Sequence, residues 1–240
     1  MEVPSTEVQN NFGRYLKLAW FEDIIVTKNG KETVVIKRYE APGQKKAPIV
    51  AEQAEAYVWD KEKITYEDFV QLQESSENRY EYIDGEVYLL SSPNYDHQRI
   101  VMELSNILYN YFKGQSCRPL TAPFDVTLTR DNNKNVVQPD IVVICDTENI
   151  SEKGKYTGVP ALVLEVLSPS TRKKDMLKKL HLYVETGVKE YWMVSPSAKE
   201  VYVYSIEELD ITEYHAYKGG DTAVSLVFAG LSVPLLQLFS

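Results

Sequence analysis

The sequence predicts an α/β (α+β) protein: a mixed β-sheet flanked by helices, preceded by a small helix-plus-hairpin module. Three observations carry that expectation. Two apolar runs, V-V-Q-P-D-I-V-V-I (136–144) and A-L-V-L-E-V-L-S (161–168), read as strands covered on both faces. A helical stretch, S-T-R-K-K-D-M-L-K-K-L-H-L-Y-V-E-T-G (170–187), separates the second run from another apolar one, E-Y-W-M-V (190–194), and helices alternating with strands imply layers. Near the N-terminus, Asn29-Gly30 joins two β-rich runs, the strongest local hairpin signal.

Taken in order, Ser5 or Thr6 is placed to cap a first helix with Val8, Phe12, Tyr15, Leu16 and Ala19 at helical spacing. The Asn29-Gly30 hairpin follows. About forty residues bury too little for a core of their own, so this module (1–45) is expected to dimerise or to dock. A Pro/Gly/Lys-rich stretch, A-P-G-Q-K-K-A-P (41–48), and an acidic one after it read as a linker up to residue 62. The main domain then runs over 63–240. It opens with a helix capped by Thr65, then a hairpin around Asp84-Gly85. A long amphipathic helix (96–112) carries Ile100, Leu104, Ile107, Leu108 and Tyr111 on one stripe. Strands are expected at 122–129, 136–144, 161–168, 190–194 and 199–205, with the helix ended by Gly187 between the third and fourth. Tyr202, Tyr204, Tyr214 and Tyr217 are expected to pack the sheet.

Composition narrows the function. The 240 residues are 44% hydrophobic and 25% charged, ordinary for a globular protein. No stretch has the length of a membrane span, and the acidic start M-E-V-P-S-T-E-V does not resemble a signal peptide. Cys117 and Cys145 share no metal-type spacing and imply no disulfide framework, so a reduced, cytoplasmic setting is the natural expectation. The net charge of −9 divides into +2 over residues 1–50 and −11 over the rest. An acidic domain attracts nucleic acid only through a metal or a local basic cluster. There is no G-x-S-x-G nucleophile turn and no G-x-x-x-x-G-K-[ST] phosphate loop. His181 and His215 form no cluster with cysteines, which leaves a zinc site without support.

The chemistry lies in two acids, each set in an apolar strand: Asp140 and Glu165. A buried carboxylate needs a partner. Two of them converging on one point, with room for water and phosphate, suit Mg²⁺ or Mn²⁺. Such an ion stabilises charge on a phosphodiester and lowers the pKa of an attacking water. After Glu165, the helix start with Arg172, Lys173 and Lys174 forms an anion-attracting corner, or alternatively a solvated basic face. Glu81, in the first strand of the second hairpin, reads equally as a further carboxylate ligand or as structural. His97, at the start of the long helix, reads as a phosphate contact or acid/base group, or as a cap or surface residue.

From roughly Thr65 onward the ordered motifs Y-E-Y-I-D-G-E-V-Y, His97, Q-P-D-I-V-V-I, E-V-L-S-P-S-T-R-K-K-D-M-L-K-K-L-H-L-Y and G-V-K-E-Y-W-M-V resemble the Uma-type endonucleases. These form a branch of the PD-(D/E)XK, restriction-endonuclease-like superfamily. The resemblance implies a restriction-endonuclease-like fold and a Mg²⁺- or Mn²⁺-dependent DNA endonuclease. In it, Asp140, Glu165 and the backbone carbonyl of Val166 ligate metal. The superfamily lysine expected two positions after the glutamate is replaced here by Leu167. Asp175, Lys179 and Tyr183 keep the branch's spacing on the following helix, so Lys179 is expected to reach back toward the metal. Lys178 is the second candidate, and pairing of Lys179 with Asp175 on a solvated face is the structural alternative. Ser168, Lys178 and Tyr183 join Glu81, His97, Arg172 and Lys173 as candidates for substrate contact or support.

Thr6-Glu7, Asn11-Phe12, Ile25-Val26-Thr27, Asn29-Gly30-Lys31 and Val34-Val35-Ile36 resemble the N-terminal part of Phd/YefM antitoxins, a dimeric DNA-binding module. That likeness implies a homodimer and DNA as partner. The antitoxins' toxin-binding part has no counterpart here, so the resemblance does not extend to toxin neutralisation. A dimerisation arm without a DNA role is the plainer reading. For the whole chain, the alternative to an endonuclease is a non-catalytic DNA-binding regulator with an inactive nuclease-like domain.

Overall fold

The computed structural model describes residues 2–10, 12, 15, 19, 24–37, 63–168 and 174–240, the side chains of 174–176 excepted. The N-terminal module contains β1 (Glu2–Pro4), α1 (Ser5–Asn10), β2 (Ile24–Lys28) and β3 (Lys31–Ile36). Asn29 and Gly30 turn the β2–β3 hairpin with φ of 54° and 73°, the left-handed pair that a two-residue turn requires. β1, which the sequence did not announce, adds to β2 in parallel. Val3, Val8, Tyr15, Ala19, Ile24 and Val26 are buried in the same apolar cluster as Leu177, Tyr183 and Ile206 of the main domain. Docking therefore buries part of the module's apolar surface, while Val34 and Val35 of β3 stay exposed. Leu16 lies outside the described residues, and Phe12 is 53% exposed.

The main domain opens with α2 (Tyr66–Ser75), whose N-cap Thr65 accepts from the Asp68 N–H through its hydroxyl and donates its own N–H to the Asp68 carboxylate, a capping box. The hairpin β4 (Tyr80–Ile83) and β5 (Glu86–Leu89) turns at Asp84-Gly85, and α3 (Tyr95–Phe112) follows. Then come β6 (Arg118–Thr121), β7 (Val126–Arg130), β8 (Asn133–Val137), β9 (Ile141–Ile144), β10 (Leu162–Val166), α4 (Lys174–Glu185), β11 (Glu190–Ser195), β12 (Glu200–Glu207) and β13 (Asp210–Lys218). A short hairpin, β14 (Thr222–Val224) with β15 (Ser232–Pro234), and a terminal turn of helix, α5 (Leu235–Leu238), complete the chain.

One six-stranded sheet, ordered β13-β12-β11-β10-β9-β6, forms the centre; a four-stranded sheet, β5-β4-β8-β7, stands beside it. The central sheet is mixed: β10 and β11 run parallel, bridged by α4, and the other pairs are antiparallel. All five residues of β10 are buried, as a strand covered on both faces requires. On one face, Ile100, Leu104, Leu108 and Phe112 of α3 pack on Ile141, Val143, Leu162, Leu164 and Trp192. On the other, Leu177, Leu180 and Tyr183 of α4 meet Val142, Ile144, Val163, Tyr191 and Met193. Each fully buried aliphatic side chain contributes about 2 kcal/mol, so these two layers dominate stability. Tyr191, Tyr204 and Tyr214 stack in series across β11, β12 and β13.

Three expectations change. The run 136–144 is not one strand. It is β8 and β9 in different sheets, with Gln138-Pro139-Asp140 as the corner, because Pro139 cannot continue a ladder. The strand expected at 122–129 begins only at Val126, after the Ala122–Pro123 bond, which is cis. Finally, Cys117 and Cys145 form a disulfide. Arg118 faces Ile144 across β6 and β9, so one step outward brings the two cysteines face to face, with Cα atoms 4.0 Å apart. Spacing in the sequence could not show a contact made by strand register, and the argument for a reducing compartment from unpaired thiols no longer stands. Among the described residues, no helix is long and apolar enough to cross a membrane.

Candidate active site

β9 and β10 pair with Ile141 opposite Leu164. One more step of that register sets Asp140 across from Glu165, and opposed residues of an antiparallel pair point to the same face. A second step sets Pro139 across from Val166. Having no N–H, Pro139 offers nothing to the Val166 carbonyl, and the Val166 N–H donates instead to Asp140 Oδ2 at 2.8 Å. The Q-P-D corner thus opens the ladder at the point where the two acids meet.

His97 Nε2 lies 3.1 Å from the same Oδ2. It sits in the first turn of α3, whose N-cap Asn94 accepts the His97 N–H, and the ring is buried on the helix face shared with Ile100 and Leu104. Burial alone would lower the His97 pKa, but the hydrogen bond and the charge of Asp140 raise it. His97 is therefore neither an exposed residue nor a side-chain cap.

Glu165 is 8% exposed and gives one oxygen, Oε1, to two donors: Lys179 Nζ at 3.0 Å and Tyr183 Oη at 2.7 Å. Lys179 and Tyr183 stand one helical turn apart on α4, which lays both over the sheet. Lys179 also reaches Glu81 Oε1 at 2.7 Å, and Glu81 accepts the Gln138 N–H at 2.8 Å. Burial pushes the Glu165 carboxyl up to about 7; Asp140 and Glu81 add to the rise and Lys179 opposes it. Burial would lower the Lys179 pKa, but Glu165 and Glu81 raise it, so the ammonium stays charged.

Lys178, the neighbouring candidate, points elsewhere: its Nζ is 2.6 Å from both Glu86 Oε2 and Tyr88 Oη. Ser168 is half-buried just beyond β10. Arg172 and Lys173 lie outside the described residues, as do the Ser170 and Thr171 cap and the side chains of Lys174 and Asp175. The structure thus brings Asp140, Glu165, Val166, Lys179, Tyr183, Glu81 and His97 together and separates Lys178 from them. Two neighbours went unnoticed in the sequence. Gln138 holds Glu81 by its backbone N–H. Tyr191 packs its ring against Tyr183 at a tilt of 47°, and its buried hydroxyl has no hydrogen-bond partner among the described residues.

The donor set fits a divalent cation. Asp140, Glu165 and Glu81 face one lysine and one histidine, and the protein's hydrogen bonds to Asp140 and to Glu165 each converge on a single oxygen. His97 Nδ1 is buried without a partner among the described residues, as suits a site whose hydrogen bonding is completed by water or ligand. No group of three or more His, Cys, Asp or Glu side chains converges as a ready-made cage among the described residues. An ion held by two carboxylates, a carbonyl and waters needs no such cage.

A family model described as "Uma2: Putative restriction endonuclease" matches residues 66–236. The chain belongs to the Uma2 family. The match spans every residue placed at the site above and begins after the N-terminal module. Among curated proteins, "Uncharacterized protein slr1290" of Synechocystis is 29% identical over 143 residues, covering 59% of this chain and 74% of that one. Among solved structures, the crystal structure of "a putative nuclease belonging to DUF820" from Anabaena variabilis aligns with a TM-score of 0.59 at 24% identity. It covers 73% of this chain and 97% of its own. That likeness supports the restriction-endonuclease-like fold for this Uma2 chain.

Proposed function

We propose that the chain is a Mg²⁺- or Mn²⁺-dependent endonuclease that hydrolyses DNA phosphodiester bonds. The observation that carries this reading is the meeting of Asp140 and Glu165 across β9 and β10 with Lys179 on the same cluster. Asp140, Glu165 and the Val166 carbonyl would hold the ion. When bound, it supplies a Lewis acid for the phosphodiester and lowers the pKa of a water. His97 and the Val166 N–H fix the Asp140 carboxylate from one side. Lys179, kept charged by Glu81 and Glu165, donates hydrogen bonds to water or to a phosphate oxygen and offsets charge there. It fills from a helix the place that Leu167 leaves vacant on the strand. Tyr183 holds the orientation of Glu165.

Supercoiled, linear and single-stranded DNA incubated with each ion tests the reading. Cleavage should require the ion and disappear in Asp140→Ala and Lys179→Met while far-UV circular dichroism is unchanged. A parallel melting experiment separates binding from catalysis, since an ion that binds only the folded chain raises Tm. Ion-dependent stabilisation with no cleavage of any DNA form supports the alternative, a DNA-binding regulator with an inactive site. The absence of both stabilisation and cleavage overturns the metal site itself.

A further inference from the structure

The solvent side of α3 carries an unusual stripe. Tyr95, Met102 and Tyr109 are 79%, 71% and 60% exposed and recur every seven residues. At 100° per residue, Tyr95 and Tyr109 fall within about 20° of Met102 around the helix. Gln98 and Asn106, both exposed, lie about 40° to either side. No charged side chain stands inside that band, whereas a surface helix ordinarily sets charges opposite its buried face. Large side chains of this kind present roughly 200 Å² each, so the three leave roughly 400 Å² of mostly apolar surface in water. A continuous patch of that size on a single chain commonly marks an interaction site.

The stripe is also symmetric about Met102. Reversing the helix exchanges Tyr95 with Tyr109 and Gln98 with Asn106 and returns Met102 to itself. We propose that this face is the two-fold interface of a homodimer, with α3 packed antiparallel against α3 of a second copy and Met102 on the axis. An isologous interface demands such self-complementarity. Charge agrees with it. Arg99 and Glu103 lie on the same flank of the stripe. Turned about the axis, Glu103 of one copy comes within about two residues' rise, roughly 3 Å along the axis, of Arg99 of the other. Two Arg–Glu pairs therefore border the apolar centre. Among the described residues Arg99 donates its Nη1 to the Leu238 carbonyl at 3.0 Å, and a guanidinium has further N–H groups to offer a partner. The stripe alone supplies about half of the roughly 800 Å² per partner of a specific interface, and the Arg–Glu flanks add to it. His97 lies on the opposite side of α3, so the assembly leaves both candidate sites open. The inference does not depend on the nuclease reading.

Sedimentation equilibrium of the full chain tests it. The expected mass is twice 27.5 kDa, about 55 kDa. Met102→Glu places two carboxylates on the axis and should weaken association by at least about 100-fold, with unchanged circular dichroism. Arg99→Glu and Glu103→Arg should each weaken the dimer, and the double exchange should restore it. Both native cysteines are already paired, so Met102→Cys introduces the only free thiol, and a bis-maleimide should join two chains through it. A wild-type chain that stays monomeric at every concentration, or a dimer indifferent to Met102→Glu and not joined through Met102→Cys, overturns the proposal.

Discussion

Glu165→Gln in the metal-free protein removes one buried charge while keeping an oxygen for Lys179 Nζ and Tyr183 Oη. Burial raises the Glu165 carboxyl from 4.5 to about 7, helped by Asp140 and Glu81 and opposed by Lys179. The folded chain therefore binds this proton more tightly than the unfolded chain. Its contribution is fully present below pH 4.5 and is lost as pH rises through about 7. The interval of 2.5 units, from 4.5 to 7, at 1.36 kcal/mol per unit amounts to about 3 kcal/mol. His97 acts with the same sign: the Asp140 hydrogen bond and charge outweigh burial and raise its pKa, so stability present below 6.5 fades as pH rises through the folded value. The wild-type profile alone thus cannot isolate Glu165, and the difference between proteins is what counts. Urea unfolding followed by tryptophan fluorescence in EDTA, at pH 5 and pH 8, supplies that difference. Because pH 5 lies above 4.5, the wild type should lose roughly 2–3 kcal/mol more than Glu165→Gln over this range, while His97→Asn retains the Glu165 part. At pH 8, Mn²⁺ should recover stability in the wild type and not in Glu165→Gln. Parallel profiles for the wild type and Glu165→Gln would refute the reasoning, because they would mean that Glu165 is not a buried charge in an anionic cluster.

Lys179→Met leaves Glu81 and Glu165 buried without their cation and should cost about 3–5 kcal/mol in urea unfolding. Lys178→Met breaks a partly exposed pair with Glu86 and a hydrogen bond to Tyr88 Oη, and should cost about 1 kcal/mol. Gly158→Ala places a Cβ 2.5 Å from both Asp146 Oδ2 and Tyr156 Oη, whose mutual hydrogen bond must then yield. A loss of about 2 kcal/mol by thermal melting is expected. Reducing the Cys117–Cys145 disulfide, which spans 28 residues, should lower stability by about 3–4 kcal/mol, read as a fall in the urea midpoint with dithiothreitol.

The acid pair was legible because each carboxylate interrupts an apolar run, and burial on both faces is written in composition. Which lysine joins it was less so. Lys178 and Lys179 differ by 100° around a helix, and only the docking of α4 on β10 decides between Glu86 and Glu165. His97 carried a signal that went unused: 97, 100, 104, 108 and 112 share one helical phase, which places the ring in the buried stripe rather than at the surface. Glu81 was visible as a strand residue, but its approach to Lys179 depends on how two sheets meet. The same limit hid the disulfide, since strand register over 28 residues leaves no local mark. That Pro139 divides one apparent strand between two sheets follows only from the pairing of β8 with β7 and of β9 with β10.

Moving the lysine from strand to helix explains why a third carboxylate is present. A lysine at position 167 would lie beside Glu165 at the sheet's open end; Leu167 instead packs against the apolar cluster. Lys179 comes in over the sheet with its side chain only 12% exposed. Under the proposed reading, Glu165 must serve a divalent cation, whose charge competes with the ammonium for that carboxylate. With Glu165 alone, Lys179 would then be buried, charged and unpaired, which is the costly half of a broken ion pair. Glu81 removes the conflict. It sits on a different sheet, is anchored by the Gln138 N–H, and holds Lys179 whether or not Glu165 is engaged. Glu81 and Lys179 thus behave as a unit. Loss of Glu81 should shift the position of the ammonium rather than remove a metal ligand, and so lower turnover more than metal affinity.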